Sequence, residues 1–130
     1  MRHFPVFILV LLLALFSACA SVDVDETKDW SAQRLYAEGK TASANKEYTK
    51  AVEYFEKLEA RYPYGPYAEQ AMLETAYAYY KSDEMASAIA AANRFLRTHP
   101  THPHVDYAYY LKGLASFDEE RSSLEKIFGA

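Results

Sequence analysis

Between Tyr48 and Tyr62 the apolar side chains fall at Ala51, Phe55, Leu58 and Tyr62, a spacing of i, i+4, i+7, i+11. That spacing lays one stripe down one side of a helix. Glu53, Glu56, Lys57 and Glu59 occupy the other side. From Ala86 to Arg97 the set Ile89, Ala92, Phe95 and Leu96 repeats the pattern. The same reading along the chain predicts helices over 29–45, 47–61, 66–81, 84–97 and 103–117, with a sixth starting near Ser122. Pro63 and Pro100 mark two of the ends, because the residue before a proline avoids the helical region. Ser82 or Asp83 is the expected cap for the fourth helix. No stretch alternates with period two, so the expected fold class is all-α.

The pattern also recurs at longer range. Pro63 and Pro100 are 37 residues apart, as are Ala51 and Ala88, Leu58 and Phe95, and Phe55 and Ala92. Gly39, Ala76 and Gly113 fall on the same period. Small residues at fixed offsets let antiparallel helices approach closely. A period in the thirties with a closing proline is the mark of tetratricopeptide-like helix pairs, whose usual length is about 34 residues. The extra residues are expected in the loops. The reading is a solenoid of about two and a half repeats over 29–130, incomplete at its C-terminus, since such repeats need capping ends.

The N-terminus breaks the pattern. Arg2 and His3 precede an apolar run from Val6 to Phe16, and Ser17 and Ala18 follow. Basic, apolar, then small is the order of a secretory signal peptide, here 1–18. A spanning helix needs about 20 apolar residues, so an uncleaved anchor is the lesser alternative. Cys19 stands at the edge of this segment and is the only cysteine of the chain. The stretch resembles a bacterial lipobox, although Phe16 takes the place usually held by leucine. The resemblance implies a lipid on Cys19, and Ala20 in place of aspartate implies the outer membrane. A free thiol is the plainer alternative. Residues 19–28, with the acidic run Val22 to Lys28, are expected to form a flexible tether.

Composition adds exclusions. A net charge of −4 without a basic block offers no footprint for direct nucleic-acid binding. One cysteine rules out an intrachain disulfide and a multi-cysteine metal site. No nucleophile elbow, zincin helix or phosphate-binding glycine loop occurs, so no catalytic residue and no enzyme is expected. His99, His102 and His104 are close enough to suggest a metal, but two prolines stretch their loop. His102 is expected instead to staple the loop by bonding neighbouring backbone. No cofactor is expected apart from the lipid. The twelve tyrosines are the unusual feature. Aromatic side chains dominate binding hot spots, yet each tyrosine also has a core-packing alternative.

The segments "ARYPYGPYAEQA", "YAYYK" and "RFLRTHPTHPHVDYAYYLKGL" resemble the BamD family of lipoproteins, also called ComL, of the bacterial β-barrel assembly machinery. The resemblance covers Asp29 to Ala130. It implies a lipid-anchored scaffold on the periplasmic face of the outer membrane, which aids folding and insertion of outer-membrane proteins. The implied partners are the barrel-forming core subunit, other lipoproteins of the machinery, unfolded outer-membrane protein segments, and outer-membrane lipid through the anchor. Alternatives are a generic periplasmic adaptor for cell-wall or division complexes, and a competence lipoprotein supporting DNA uptake. A repeat groove suits an extended peptide. The candidate contact residues are Tyr62, Tyr64, Pro66 and Tyr67 in the stiff loop, Tyr77 and Tyr80 on the next helix, and Asp106 and Tyr109 beyond it. Tyr107 and Tyr110 share the last helix, where three tyrosines within four residues cannot all face one way.

Overall fold

The computed structural model describes residues 25–129, and the leader and Cys19 lie outside them. Five helices follow one another: α1 (Ala32–Ala44), α2 (Tyr48–Arg61), α3 (Pro66–Lys81), α4 (Met85–Thr98) and α5 (Val105–Phe128). No strand occurs among the described residues. Successive helices pack as neighbours, and α3 also touches α1 and α5. α1, α3 and α5, the first helices of successive repeats, therefore lie side by side. α2 and α4 form the outer layer.

Local chemistry sets the boundaries. Ser31 accepts a hydrogen bond from the Arg34 N–H at 3.2 Å and caps α1. α1 and α3 end alike. Glu47 N–H reaches Ala42 O and Lys46 N–H reaches Ser43 O; Glu84 N–H reaches Tyr79 O and Asp83 N–H reaches Tyr80 O. This is the Schellman closure, with its left-handed residue at Lys46 (φ 64°) and Asp83 (φ 66°), again 37 apart. Gly65 takes φ 101° in the turn before α3, which Pro66 opens.

The stripes seen in sequence form the core. Leu35, Ala51, Phe55, Leu58, Ala68 and Ala71 are buried together, and Phe95, Met72, Leu73 and Ala108 continue the core into the second repeat. A Cβ on Gly39 would stand 2.8 Å from two atoms of the Phe55 ring and closer still to a third, so only glycine allows α1 and α2 this approach.

Three expectations change. The sixth helix is the second half of α5, which runs unbroken to Phe128. No proline or glycine interrupts Ala115–Ile127, and Glu, Arg, Leu and Lys there favour helix. Ser82 and Asp83 do not cap α4. Ser82 closes α3 and its hydroxyl donates to Tyr79 O, Asp83 holds the left-handed position, and Glu84 precedes α4 without a side-chain cap bond. Residues 25–28, expected in the tether, are folded against α2. Thr27 is buried, its hydroxyl donates to the Asp25 carboxylate at 2.7 Å, and Arg61 holds both the Thr27 carbonyl and Asp25. The carboxyl of Asp25 is lowered to about 2, first by the Thr27 hydroxyl, with Lys57 and Arg61 adding to it.

Candidate functional site

The inner faces of α1, α3 and α5 enclose two adjoining cavities of about 320 and 290 Å³. Helical register assembles their walls. Tyr36 and Lys40 are four apart on α1, and Gln70, Glu74 and Tyr77 follow i, i+4, i+7 on α3. α5 adds Tyr107, and His104 stands just before its first turn.

Glu74 sits at the centre and lines both cavities. Its carboxylate accepts from Lys40 Nζ at 2.6 Å, and the Tyr36 hydroxyl lies 3.5 Å from the same oxygen. Partial burial works against the Lys40 charge, but the hydrogen bond and charge of Glu74 outweigh it and hold the ammonium above the usual lysine range. Burial, then the charge of Glu74, pushes the Tyr36 and Tyr107 hydroxyls up. Both stay protonated at neutral pH and are available as donors. The groove therefore presents three tyrosine rings, an amide and one internally balanced ion pair. That is a surface for an extended chain, with apolar faces for side chains and polar groups for its backbone.

The candidate residues separate. Tyr77 lines the groove. Tyr67 lies beside it, its ring 5.6 Å from that of Tyr36. Pro66 is the first residue of α3. Tyr62 is turned to the N-terminal segment, its hydroxyl donating to Trp30 O at 2.9 Å. Tyr64 is 92% exposed and borders a different cavity. Tyr80 ties α3 to α5 through a 3.0 Å bond to Asp118. Asp106 accepts from the Tyr107 N–H in the first turn of α5, and Tyr109 is exposed away from both cavities. Tyr36, Lys40, Gln70, Glu74 and Tyr107 complete the groove and were not among the candidates. The repeat carried a signal for three of them: Lys40 is 37 residues from Tyr77, and Gln70 is 37 from Tyr107.

The histidine loop is a staple. His102 Nδ1 accepts from the His104 N–H at 3.1 Å, its Nε2 lies 3.4 Å from the Glu69 carboxylate, and its ring meets Phe95 edge-on at 5.1 Å. Among the described residues no three metal-ligating side chains converge. None of the described helices is long and apolar enough to cross a membrane.

A family model described as tetratricopeptide repeat matches residues 23–130, and the chain belongs to that family. Over 116 residues it is 50% identical to the outer membrane protein assembly factor BamD of Neisseria meningitidis serogroup B, covering 85% of this chain and 43% of that protein. It is 37% identical to BamD of Vibrio cholerae over 92% of this chain and 49% of the relative. To BamD of Xylella fastidiosa it is 37% identical over 95% of this chain and 44% of the relative. The chain thus spans a little under half the length of these relatives.

Proposed function

We propose that the chain is the substrate- and partner-receiving portion of an outer-membrane protein assembly factor. In this reading it acts as a non-catalytic scaffold at the periplasmic face of the outer membrane, held there by a lipid on Cys19. It takes extended segments of unfolded outer-membrane proteins, or of a partner lipoprotein, and passes substrate on to the barrel-forming core subunit. The similarity to the BamD proteins supports the role. The observation that carries it is the groove across three helices, where Tyr36, Tyr77 and Tyr107 surround the Lys40–Glu74 pair. A DNA-binding use is disfavoured there, because the one lysine of the groove is taken by Glu74 and is not free for phosphate.

The test is photo-cross-linking in living cells, with a photoreactive phenylalanine placed in turn at Tyr77, Tyr107 and, as a control, Tyr109. Nascent outer-membrane barrel proteins should be captured from Tyr77 and Tyr107 and much less from Tyr109. Equal capture at all three, or capture of cell-wall proteins only, would reject the groove as the receiving site. Labelled palmitate should enter the wild-type chain and not Cys19→Ala; label in both would reject the anchor.

A further inference from the structure

The N-terminal segment is moored where the Tyr62–Tyr67 loop begins. Arg61, the last residue of α2, holds the Thr27 carbonyl and the Asp25 carboxylate. The next residue, Tyr62, donates its hydroxyl to Trp30 O at 2.9 Å. Asp25 is the sixth residue after Cys19. Six fully extended residues span at most about 20–22 Å. With a lipid on Cys19, the reading on which this inference rests, the mooring point stays within about 20–22 Å of the lipid headgroups. The loop leaves the same point.

We propose that the Tyr62–Tyr67 loop rests in the headgroup layer of the phospholipid membrane with the Tyr64 ring entering it, so that the chain is attached at two points. Three observations select this surface. Around the mooring point the other exposed surfaces are charged, by Glu26, Lys28, Asp29 and Arg34 beside the segment and by Lys50 and Glu53 along α2. From Tyr62 to Ala68, by contrast, no residue carries a charge. The Tyr64 ring is 92% exposed on a loop stiffened by Pro63 and Pro66, while Tyr62 and Tyr67 are tied down. Such a ring offers an apolar face to the acyl boundary and a hydroxyl to the headgroups, the reason tyrosine and tryptophan collect at membrane–water interfaces. Behind it the surface stays mainly apolar, in a recess of about 590 Å³ bordered by Pro63, Ala68 and Met72. Asp25, Glu26 and Asp29 are balanced by Lys28, Arg34 and Arg61, so the ring and not an anionic lipid sets the contact. The anchor keeps the loop at high local concentration beside the membrane, and one weak second contact then fixes an orientation that a single anchor leaves free.

The test uses the intact lipidated chain, its lipid confirmed by mass, in phosphatidylcholine vesicles that contain a nitroxide-headgroup lipid. The lipid blocks Cys19, so Tyr64→Cys takes a single NBD fluorophore, and Tyr109→Cys, at another exposed ring, is the control. NBD at position 64 should shift to the blue and lose most of its emission to the nitroxide, at low and high salt alike. NBD at position 109 should do neither. In the unsubstituted chain, hydroxyl-radical labelling of Tyr64 should fall on vesicles relative to Cys19→Ala free in solution, with Tyr109 unchanged. No quenching at position 64, equal quenching at both positions, quenching abolished by salt, or unprotected Tyr64 would each overturn the loop contact while the anchor stands. A purified chain without lipid on Cys19 would remove the leash and overturn both readings.

Discussion

Alanine at Gly39 and alanine at Gly113 are chemically one substitution at repeat-equivalent positions, and the structure assigns them opposite signs. At Gly39 the new methyl would meet the Phe55 ring at 2.8 Å or less. Phe55 is fully buried, and Tyr36 of α1 packs on it at 5.9 Å between ring centres, so the ring has little room to retreat. Overpacking of this kind costs about 1–3 kcal/mol. Replacing a helical glycine by alanine returns about 0.5–1 kcal/mol. The packing effect wins, and Gly39→Ala should lose about 1–2 kcal/mol. At Gly113 nothing beyond the local helix backbone lies within 4 Å of the same methyl, so only the favourable effect acts there and stability should rise by about 0.5–1 kcal/mol. Urea unfolding followed by helical circular dichroism reads both, with unchanged slope showing that the unfolded state is not the cause. An equally stable or stabilised Gly39→Ala would refute the claim that the α1–α2 approach depends on a missing side chain.

Glycine at Lys46 or Asp83 should raise the unfolding midpoint, since each holds a left-handed backbone that disfavours a Cβ; about 0.5–1 kcal/mol is expected at Lys46 and less at Asp83, because aspartate tolerates that conformation better. A drop at either site would show that the original side chain does more there than occupy a turn. Asp25 should titrate near 2 by carbon-detected NMR, and Thr27→Val should return it toward 3.8. Its folded value is lowered, so its contribution to stability is present above about pH 4 and disappears as pH falls through 2. An Asp25 that titrates at its ordinary value would mean the N-terminal segment is undocked in solution. Glu74→Gln should lower the titration midpoint of Tyr107, read by ultraviolet absorbance, because the charge of Glu74 helps to raise it. No movement would place Glu74 too far from that hydroxyl to organise the groove.

The repeat was legible because burial is periodic. Phe55, Leu58, Ala92 and Phe95 all lie in the core at the positions their spacing predicts. The groove was harder to see, because its members belong to neither the apolar stripe nor the outer charged face. Tyr36, Lys40, Gln70 and Glu74 become visible only when i, i+4 pairs are combined with the repeat offset. Aromatic content alone pointed to Tyr80 and Tyr109, which a hydrogen bond to Asp118 and plain exposure place elsewhere. Nor does the symmetrical look of "YPYGPY" show that Tyr62 and Tyr67 are restrained while Tyr64 stands free, since that difference comes from Trp30 and Tyr36, some thirty residues upstream. The continuity of α5 was missed for another reason. The period would place a turn near Glu120, matching Lys46 and Asp83, but the local helix formers prevail.

That continuity gives the molecule a gradient of protection. α3 is walled by four other helices, whereas residues 119–129 are exposed throughout and held only by bonds within α5 itself. A helical stretch of that length is marginal in water. Its amides should exchange with solvent orders of magnitude faster than those of α3, and trypsin should cut first at Arg121 and Lys126. Phe117, Leu124 and Phe128 ride on or beside this half-helix with their side chains uncovered. Whatever shields them slows both exchange and cleavage, so a proteolysis time course across α5 doubles as a gauge of whether the far end of the solenoid is capped.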